Sequence, residues 1–311
     1  MGEGLEEGVL ALAARAFAAA GMDGGDALVV SAREGGLRRA VNVCRAHPKV
    51  AVLTAPGAGP AELGRELHPQ TPRAFVVCEG LGGPDERVTR ARPAEATTRP
   101  WRDPRVVIVH DPRWRGETAG WLAAGRPGPA GWALPEEDFE GRRGRVLCAE
   151  ARALVLAGLG PRLGDLVWDL GSTGGAVGVE CARLGAAVIA VDRDEEACET
   201  VRRNVRAHGV RLAVSRGTAP QVLPYLPDPD AVFVGGGGPP VLQECARRAP
   251  RVIVTVPPGP EAVGPAREAL EAGGYSVGSV RLTVSRGEAP PAGGRRAEEP
   301  GSVFVVSGAI R

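Results

Sequence analysis

Short valine-rich runs alternate with amphipathic segments along the whole sequence, and this alternation constrains the fold more than any other feature. In the second half, segments such as "DEEACETVRRNVRAHG" (194–209) place apolar residues at helical spacing. They separate the runs "DLVWDL" (165–170), "AVIAVD" (187–192), "LAVSRG" (212–217), "DAVFVGGGG" (230–238) and "RVIVTV" (251–256). Strands that alternate with helices favour parallel sheets flanked by helices. The sequence therefore predicts an α/β, Rossmann-like domain with a mostly parallel sheet.

The end of the chain departs from this alternation. The runs "SVGSVRLTVS" (276–285) and "SVFVVSGA" (302–309) follow one another with no helical segment between them. Successive strands without a crossover helix pair in the antiparallel sense. We therefore expect an antiparallel C-terminal edge on the otherwise parallel sheet.

A smaller α/β lobe is predicted to precede this domain. Its expected strands are "ALVVSA" (27–32), "KVAVLTA" (49–55), "RAFVVCE" (73–79) and "RVVIVHD" (105–111), with a helix at "PAELGREL" (60–67) that begins with proline. Residues 112–146 then interrupt the rhythm with glycine, proline and tryptophan. We expect a lobe at 1–115, a linker at 116–140 and the larger domain at 141–311.

Composition excludes several classes of partner. With 24% charged residues and a formal net charge of +1, the chain has no field that would recruit nucleic acid or an anionic membrane. No apolar run approaches the roughly 20 residues that span a bilayer. The 6 cysteines are scattered without paired spacing, which favours reduced thiols in a cytoplasmic protein and no metal site.

The stretch "VWDLGSTGGAVGVE" (167–180) has the pattern of a nucleotide-binding corner: an apolar strand, an acid, a glycine-rich turn and the start of a helix. The acid Asp169 precedes the first glycine, which suits a ligand with a cationic amino-acid group, S-adenosylmethionine, better than a dinucleotide. Asp192, at the tip of the next strand, is placed to accept hydrogen bonds from a ribose diol. The alternative is a glycine corner that binds no ligand.

Two other loops extend the candidate site. "SRGTAPQVL" (215–223) follows the third strand and would cover an adenine ring, unless it is an ordinary strand–helix connection. Four glycines follow the strand at 230–234, where a cofactor or bulky substrate would come close, unless the loop is merely flexible. The predicted cofactor-binding residues are Asp169, Gly171, Ser172, Thr173, Gly175, Asp192, Arg193, Gly217, Thr218 and Ala219. The predicted substrate-binding residues are Gly235, Gly236, Gly237 and Gly238, and no catalytic residue is assigned.

From about residue 146 onward, the chain resembles the C-terminal half of the precorrin-6Y C5,15-methyltransferases. The matching stretches are "AEARALVLAGLGPRLGDLVWDLGS", "GAVGVECARLGAAVIAVDRDEEAC", "GTAP" and "DAVFVGGGGP". "RRAVNVCRAHPKVAVLTAPGAGPAELGREL" and "EGLGGPDERV" resemble the second lobe of the tetrapyrrole methylase module in the same bifunctional enzymes. The resemblance implies a class I methyltransferase fold, S-adenosylmethionine as cofactor, an acidic tetrapyrrole as substrate and a homo-oligomer.

The chain departs from that family pattern in several places. It starts midway through the first module, so residues 1–115 are expected to be a truncated lobe. The family's Met-Thr-Lys falls on Val146, Leu147 and Cys148, and Thr173 replaces a loop glycine. A β-branched residue narrows the space for a ligand and resists positive φ. "RAEEPGSVFVV" also lacks the asparagine that family members tend to carry before the last strand.

These features predict a methyltransferase resembling the enzyme that methylates a precorrin at carbon 15 and also decarboxylates this precorrin. Because the sulfonium is already activated, transfer would depend on proximity and orientation. One alternative is a divergent paralogue that binds S-adenosylmethionine and acts on another substrate in secondary metabolism. The other is a non-catalytic scaffold or ligand-binding homologue.

Overall fold

A computed structural model describes residues 3–67, 73–114, 131–141, 146–171, 174–284 and 302–310, with side chains from residue 8 onward. The chain forms two compact units, one made mainly of residues 1–128 and the other mainly of residues 129–311. The predicted division into a truncated lobe, a linker and a larger domain stays a prediction. No helix in the described ranges has the length and apolar character required to cross a membrane.

The first unit contains a five-stranded sheet in the order β1-β2-β5-β3-β4. Its strands are β1 (Leu28–Ser31), β2 (Lys49–Leu53), β3 (Ala74–Glu79), β4 (Arg87–Ala91) and β5 (Pro104–His110), and its helices are α1 (Glu3–Ala20), α2 (Leu37–Ala46), α3 (Pro60–Leu67) and α4 (Pro93–Thr98). The prediction of parallel strands is wrong for most of this sheet. Only β1 and β2 are parallel, because β3 and β4 form a hairpin and β5 inserts antiparallel between β2 and β3.

Alternation along the strands divides the core of the first unit between the two faces of the sheet. Successive side chains of a strand point to opposite faces. In β2, Val50 and Val52 belong to the apolar cluster that includes α2, α3 and α4, whereas Ala51 belongs to the cluster that includes α1. Helices therefore cover both faces, which gives the small α/β lobe expected from the sequence.

The second unit contains a seven-stranded sheet in the order β11-β12-β10-β9-β6-β7-β8. Its strands are β6 (Leu166–Leu170), β7 (Ala187–Asp192), β8 (Ala213–Arg216), β9 (Ala231–Val234), β10 (Val252–Thr255), β11 (Ser276–Thr283) and β12 (Ser302–Ala309). Its helices are α5 (Ala149–Leu159), α6 (Ala176–Arg183), α7 (Glu195–Ala207), α8 (Ala219–Val222), α9 (Gly238–Ala246) and α10 (Val263–Ala272). Each strand predicted for this domain is present, within one or two residues at most ends.

The strand pairing confirms the predicted fold class. β6, β9 and β10 are parallel neighbours, as are β7 and β8, whereas β12 runs antiparallel to both β10 and β11. The chain proceeds from β6 to one edge through β7 and β8, then returns to the other side of β6 with β9. This reversal creates a switch point between β6 and β9, and ligands of open α/β sheets bind beyond the carboxyl ends of the strands at such points.

Candidate functional site

Asp169, the fourth residue of β6, fixes the start of the glycine corner. It is 1% exposed, and its Oδ2 accepts a hydrogen bond of 2.8 Å from the backbone N–H of Gly178 in α6. A Cβ on Gly178 would lie 2.6 Å from that oxygen, so only glycine allows this contact. The carboxylate thus ties the strand to the first turns of the helix that follows it.

Gly171 and Gly175 both adopt positive φ, at 71° and 72°, which favours glycine. The N–H of Gly171 donates to the carbonyl of Val191 at 2.9 Å, joining the corner to β7. Gly175 precedes α6, and a Cβ there would lie 2.9 Å from Val201 of α7. Ser172 and Thr173 lie outside the described residues, so the expected narrowing by Thr173 stays a prediction.

Asp192 ends β7 and faces a small cavity that Asp169 also lines. Its Oδ1 accepts a hydrogen bond of 2.9 Å from the N–H of Asp194. The cavity has a volume of about 10 Å³ and is lined by Asp169, Ala190, Val191, Asp192, Cys198, Val201 and Val214. Such a volume holds about one water molecule. The ends of β6 and β7 and part of β8 therefore meet around a space bordered by two carboxylates, while the adjacent Arg193 is exposed.

The loop after β8 is joined to Asp192 through the backbone. Gly217 donates its N–H to the carbonyl of Asp192 at 2.9 Å. Thr218 is exposed and occupies the N-cap position of α8, which starts at Ala219, without a capping hydrogen bond from its side chain. The structure therefore brings these three predicted residues beside the tip of β7.

The four-glycine loop lies directly against the corner. The N–H of Gly235 donates to Leu170 O at 2.8 Å, and a Cβ on Gly235 would lie 2.8 Å from the carbonyl oxygen of Gly171. Gly237 and Gly238 have φ of 93° and 62°, and no atom lies within 4 Å of the positions that a Cβ would take on Gly236 or Gly238. One side of the loop therefore packs on the corner while its tip is open.

Residues 131–141, which the sequence places in a linker up to residue 140, pack within the second unit beside the corner. Glu180 of α6 accepts a hydrogen bond of 2.7 Å from Leu134 N, and Arg152 of α5 donates to Leu134 O. Phe139 is 6% exposed and stacks on His208, with their ring centroids 4.6 Å apart. Sequence reasoning missed the packing of this segment, although the charges of Arg152 and Glu180 within largely apolar helical segments were an available signal.

Arg152 and Glu180 form an ion pair whose side chains are fully buried, with Nε and Oε1 3.5 Å apart. Burial lowers the pKa of the Arg152 guanidinium, and the charge of Glu180 partly offsets this effect. Arg183 donates to the second oxygen of Glu180 at 3.0 Å. The Arg152–Glu180 pair therefore holds the segment at 131–141 through buried contacts and belongs to the scaffold of the site.

The chain departs from the family pattern at Val146, Leu147 and Cys148. The contacts made there are apolar packing and a hydrogen bond to the backbone. Val146 packs against the apolar cluster around Phe139, and the carbonyl of Leu147 accepts a hydrogen bond of 2.5 Å from Arg152. Cys148 precedes α5, is half-buried and makes no capping hydrogen bond through its side chain. Within the described ranges, no cluster of three His, Cys, Asp or Glu side chains is arranged to hold a metal ion.

Comparison with known proteins identifies relatives of the second unit. The precorrin methyltransferase domain model matches residues 139–256. A Sinorhizobium precorrin-6Y C(5,15)-methyltransferase (decarboxylating) is 37% identical over 202 residues, covering 62% of this chain and 46% of the relative. The chain thus spans about half the length of that curated relative.

Shorter relatives are covered more fully. A probable cobalt-precorrin-6B C(15)-methyltransferase (decarboxylating) of Pyrobaculum calidifontis is 37% identical over 165 residues, covering 50% of this chain and 85% of the relative. The solved C-terminal domain of precorrin-6Y C5,15-methyltransferase from Rhodobacter capsulatus is 30% identical, with a TM-score of 0.51, covering 57% of this chain and 97% of that domain. Because the chain covers 85% of the Pyrobaculum relative at 37% identity and 97% of the Rhodobacter domain at 30% identity, it belongs to the family of decarboxylating precorrin C(15)-methyltransferases.

Proposed function

We propose that this chain uses S-adenosylmethionine to methylate carbon 15 of a precorrin, with decarboxylation of the substrate. The observation that carries the proposal is the arrangement of Asp169 and Asp192 around one cavity at the ends of β6 and β7. The glycine corner, Gly217 and the four-glycine loop all lie beside this point. Family membership supports the reaction class, since the Pyrobaculum and Sinorhizobium relatives carry its name.

The residues fit the cofactor by chemical type. Asp192 would accept hydrogen bonds from the ribose hydroxyls, as its position at the tip of β7 permits. Gly217, Thr218 and Ala219 would cover the adenine, and the corner from Gly171 to Gly175 would present backbone groups to the methionine part. Because the cavity beside Asp192 has a volume of about 10 Å³, the nucleoside would lie along the exposed rim between Asp192 and Thr218.

Bound S-adenosylmethionine would supply an activated methyl group. The chain's own contribution would then be orientation, since holding reactants in line supplies much of the rate of such a transfer. The open tip of the four-glycine loop would leave room for a large planar substrate next to the corner. An acidic tetrapyrrole or similar substrate, self-association and a cytoplasmic location are further parts of the proposal, supported by family membership.

A second candidate is a paralogue that keeps the cofactor and acts on a different substrate. It is favoured by Leu147 and Cys148, which offer neither a hydroxyl nor an ammonium to a substrate carboxylate. Turnover separates the two candidates. Transfer of a labelled methyl group to a precorrin with release of carbon dioxide supports the first, whereas cofactor binding without turnover of any precorrin supports the second.

Cofactor binding is tested by calorimetric titration of the full chain with S-adenosylmethionine and S-adenosylhomocysteine. We expect saturable binding that Asp192→Asn weakens by about tenfold or more, because a hydrogen bond to a charged group contributes about 1.5–3 kcal/mol. Asn keeps an oxygen for the N–H of Asp194, so the local turn should survive the change. Asp228→Asn, an exposed carboxylate paired with Arg248, is the matched control and should leave affinity unchanged.

The outcomes of this titration are distinct. Wild-type protein that binds neither ligand at millimolar concentration would exclude both cofactor-dependent candidates and leave the scaffold. Equal weakening by Asp192→Asn and Asp228→Asn would show that the effect is general and that Asp192 does not contact the ribose.

A further inference from the structure

Asn204 lies in the last turn of α7, and its side chain bonds to two other segments of the chain. It is 1% exposed. Its Nδ2 donates to the carbonyl of Gly174 at 2.7 Å and to the carbonyl of Glu140 at 2.8 Å, while its Oδ1 accepts from the N–H of Glu140 at 2.9 Å. Both donors and the acceptor of the amide are therefore used to join the corner to the segment at 131–141.

These bonds fix the orientation of a peptide inside the corner. In a trans peptide the carbonyl and the following N–H point in opposite directions. Because Gly174 O is held by Asn204, the N–H of Gly175 is directed away from α7. Gly175 then takes positive φ and is the N-cap residue of α6, so Asn204 holds the peptide through which the corner enters the helix.

The segment at 131–141 contacts the same peptide through the backbone of Glu140. A Cβ on Gly174 would lie 2.7 Å from the carbonyl oxygen of Glu140, so the two backbones are in direct contact. Asp138 O lies 2.9 Å from Nε2 of His208, one turn after Asn204. At its other end the segment is held by Glu180, through the N–H of Leu134. The segment is therefore held at Leu134 and Asp138, both before its contact with Gly174 at Glu140.

We propose that Asn204 is a positioning residue for the cofactor, acting through the Gly174 peptide and the segment at 131–141 that contacts this peptide. This inference rests on the proposed function, because it assigns the corner to cofactor binding. Asn204 acts on the ligand only through the backbone that it holds. Loss of its two N–H donors should therefore lower cofactor affinity without removing any group that touches the cofactor.

Asn204→Asp is the direct test, since it keeps the shape of the side chain and replaces the Nδ2 donors by a carboxylate oxygen facing two carbonyls. We expect the dissociation constant for S-adenosylhomocysteine, measured calorimetrically at low temperature, to rise by about tenfold or more. Amide hydrogen exchange across 169–178 should become faster. In turnover assays KM for S-adenosylmethionine should rise more than kcat falls, because ground-state binding is what weakens.

Two variants control for damage to α7 and to the segment. Thr200→Val changes a buried residue one turn earlier, whose hydroxyl donates within its own helix. Glu140→Ala removes the side chain that pairs with Arg203 but keeps the backbone atoms that Asn204 contacts. Both should bind S-adenosylhomocysteine within twofold of wild type, and a loss equal to that of Asn204→Asp would overturn the proposal.

The measurements separate this inference from the proposed function. Absence of S-adenosylhomocysteine binding by the wild type would remove the proposed function and this inference with it. Wild-type binding together with unchanged affinity in Asn204→Asp would overturn this inference alone. Should Asn204→Asp not fold, Asn204→Ser retains one donor in a smaller side chain and must show a raised dissociation constant, and unchanged affinity there would overturn the inference equally.

Discussion

Individual glycines in the corner are explained by particular neighbours. Gly178 admits the carboxylate of Asp169, Gly175 admits Val201, and Gly174 admits the carbonyl of Glu140. In each case a Cβ would come within 3.0 Å of an atom of the protein itself. The glycine-rich sequence thus reflects close packing around the corner as well as any approach of a ligand.

Gly178→Ala should destabilise the second unit, because the new methyl would press on Asp169 Oδ2 at 2.6 Å and on Val188 at 3.2 Å. Overpacking of this kind costs about 1–3 kcal/mol, measured as a fall in the free energy of unfolding in urea. Gly264→Ala is the matched control, since Gly264 lies in α10 with no atom within 4 Å of its Cβ position. It should change the free energy of unfolding by about 0.5 kcal/mol or less, because the position is exposed and Pro265 follows it, which offsets the helix preference of alanine. Equal and small effects at the two positions would contradict this packing.

Among the elements, the segment at 131–141 depends most on charges that are hidden from water. Arg152 donates to the carbonyls of Leu134 and Leu147, and Glu180 accepts from Leu134 N. The Arg152 guanidinium also lies 4.7 Å from the ring centroid of Phe139. The segment has little regular secondary structure, and its contacts with the buried charges of Arg152 and Glu180 hold it in place.

Glu180→Gln should therefore loosen the segment and destabilise the chain. The variant keeps an oxygen for Leu134 N but leaves the Arg152 charge without its buried partner, which costs about 3–5 kcal/mol. Glu199→Gln breaks an exposed pair with Arg202 on α7, whose side chains are 49% and 40% exposed. That change should cost about 0.5 kcal/mol or less. Urea unfolding of both variants checks the difference, and equal losses would mean that burial does not set the strength of the Arg152–Glu180 pair.

The elements also show how much of the fold can be predicted from the sequence. Alternation and glycine spacing are local signals, and they correctly predict β6 to β12 and the order in which they follow one another. The antiparallel insertion of β5 between β2 and β3 depends on pairing between distant segments, which no local pattern encodes. Asn204 is equally hidden from such reasoning, since its partners at 140 and 174 are distant along the chain. In the sequence, Asn204 stands in a polar run, and such a run indicates a solvated face of the helix.

At the scale of the whole molecule, each unit has its own sheet and its own apolar core. The match to the precorrin methyltransferase domain falls within the second unit, at residues 139–256. The first unit has an ordered core around β2, β3 and β5. Its resemblance to the second lobe of the tetrapyrrole methylase modules stays a prediction from the sequence. The chain as a whole therefore combines a unit that matches the precorrin methyltransferase domain with a second α/β unit that has its own five-stranded sheet.

The reactivity of the thiols tests, in a single measurement, whether the cysteines of both units are buried. Five of the cysteines are buried, namely Cys44, Cys78, Cys181, Cys198 and Cys245, and Cys148 is half-buried; all are free thiols. Burial raises the pKa of Cys44 and Cys245 to about 12 and that of Cys78 to about 11, and it raises the pKa of Cys181 and Cys198 as well. Since the thiolate is the reactive form, these groups should be inert at pH 8.

Native protein treated with an aromatic disulfide reagent at pH 8 should therefore show one thiol that reacts within minutes, and all 6 cysteines should react after unfolding in urea. Cys148→Ser should abolish the rapid phase and leave the slow phases unchanged. Rapid reaction of Cys44 or Cys78 would show that the first unit is open in solution, whereas rapid reaction of Cys198 would place the opening beside Asp192. The sites of modification, read by peptide mass analysis, thus identify which unit has departed from the packing described for it.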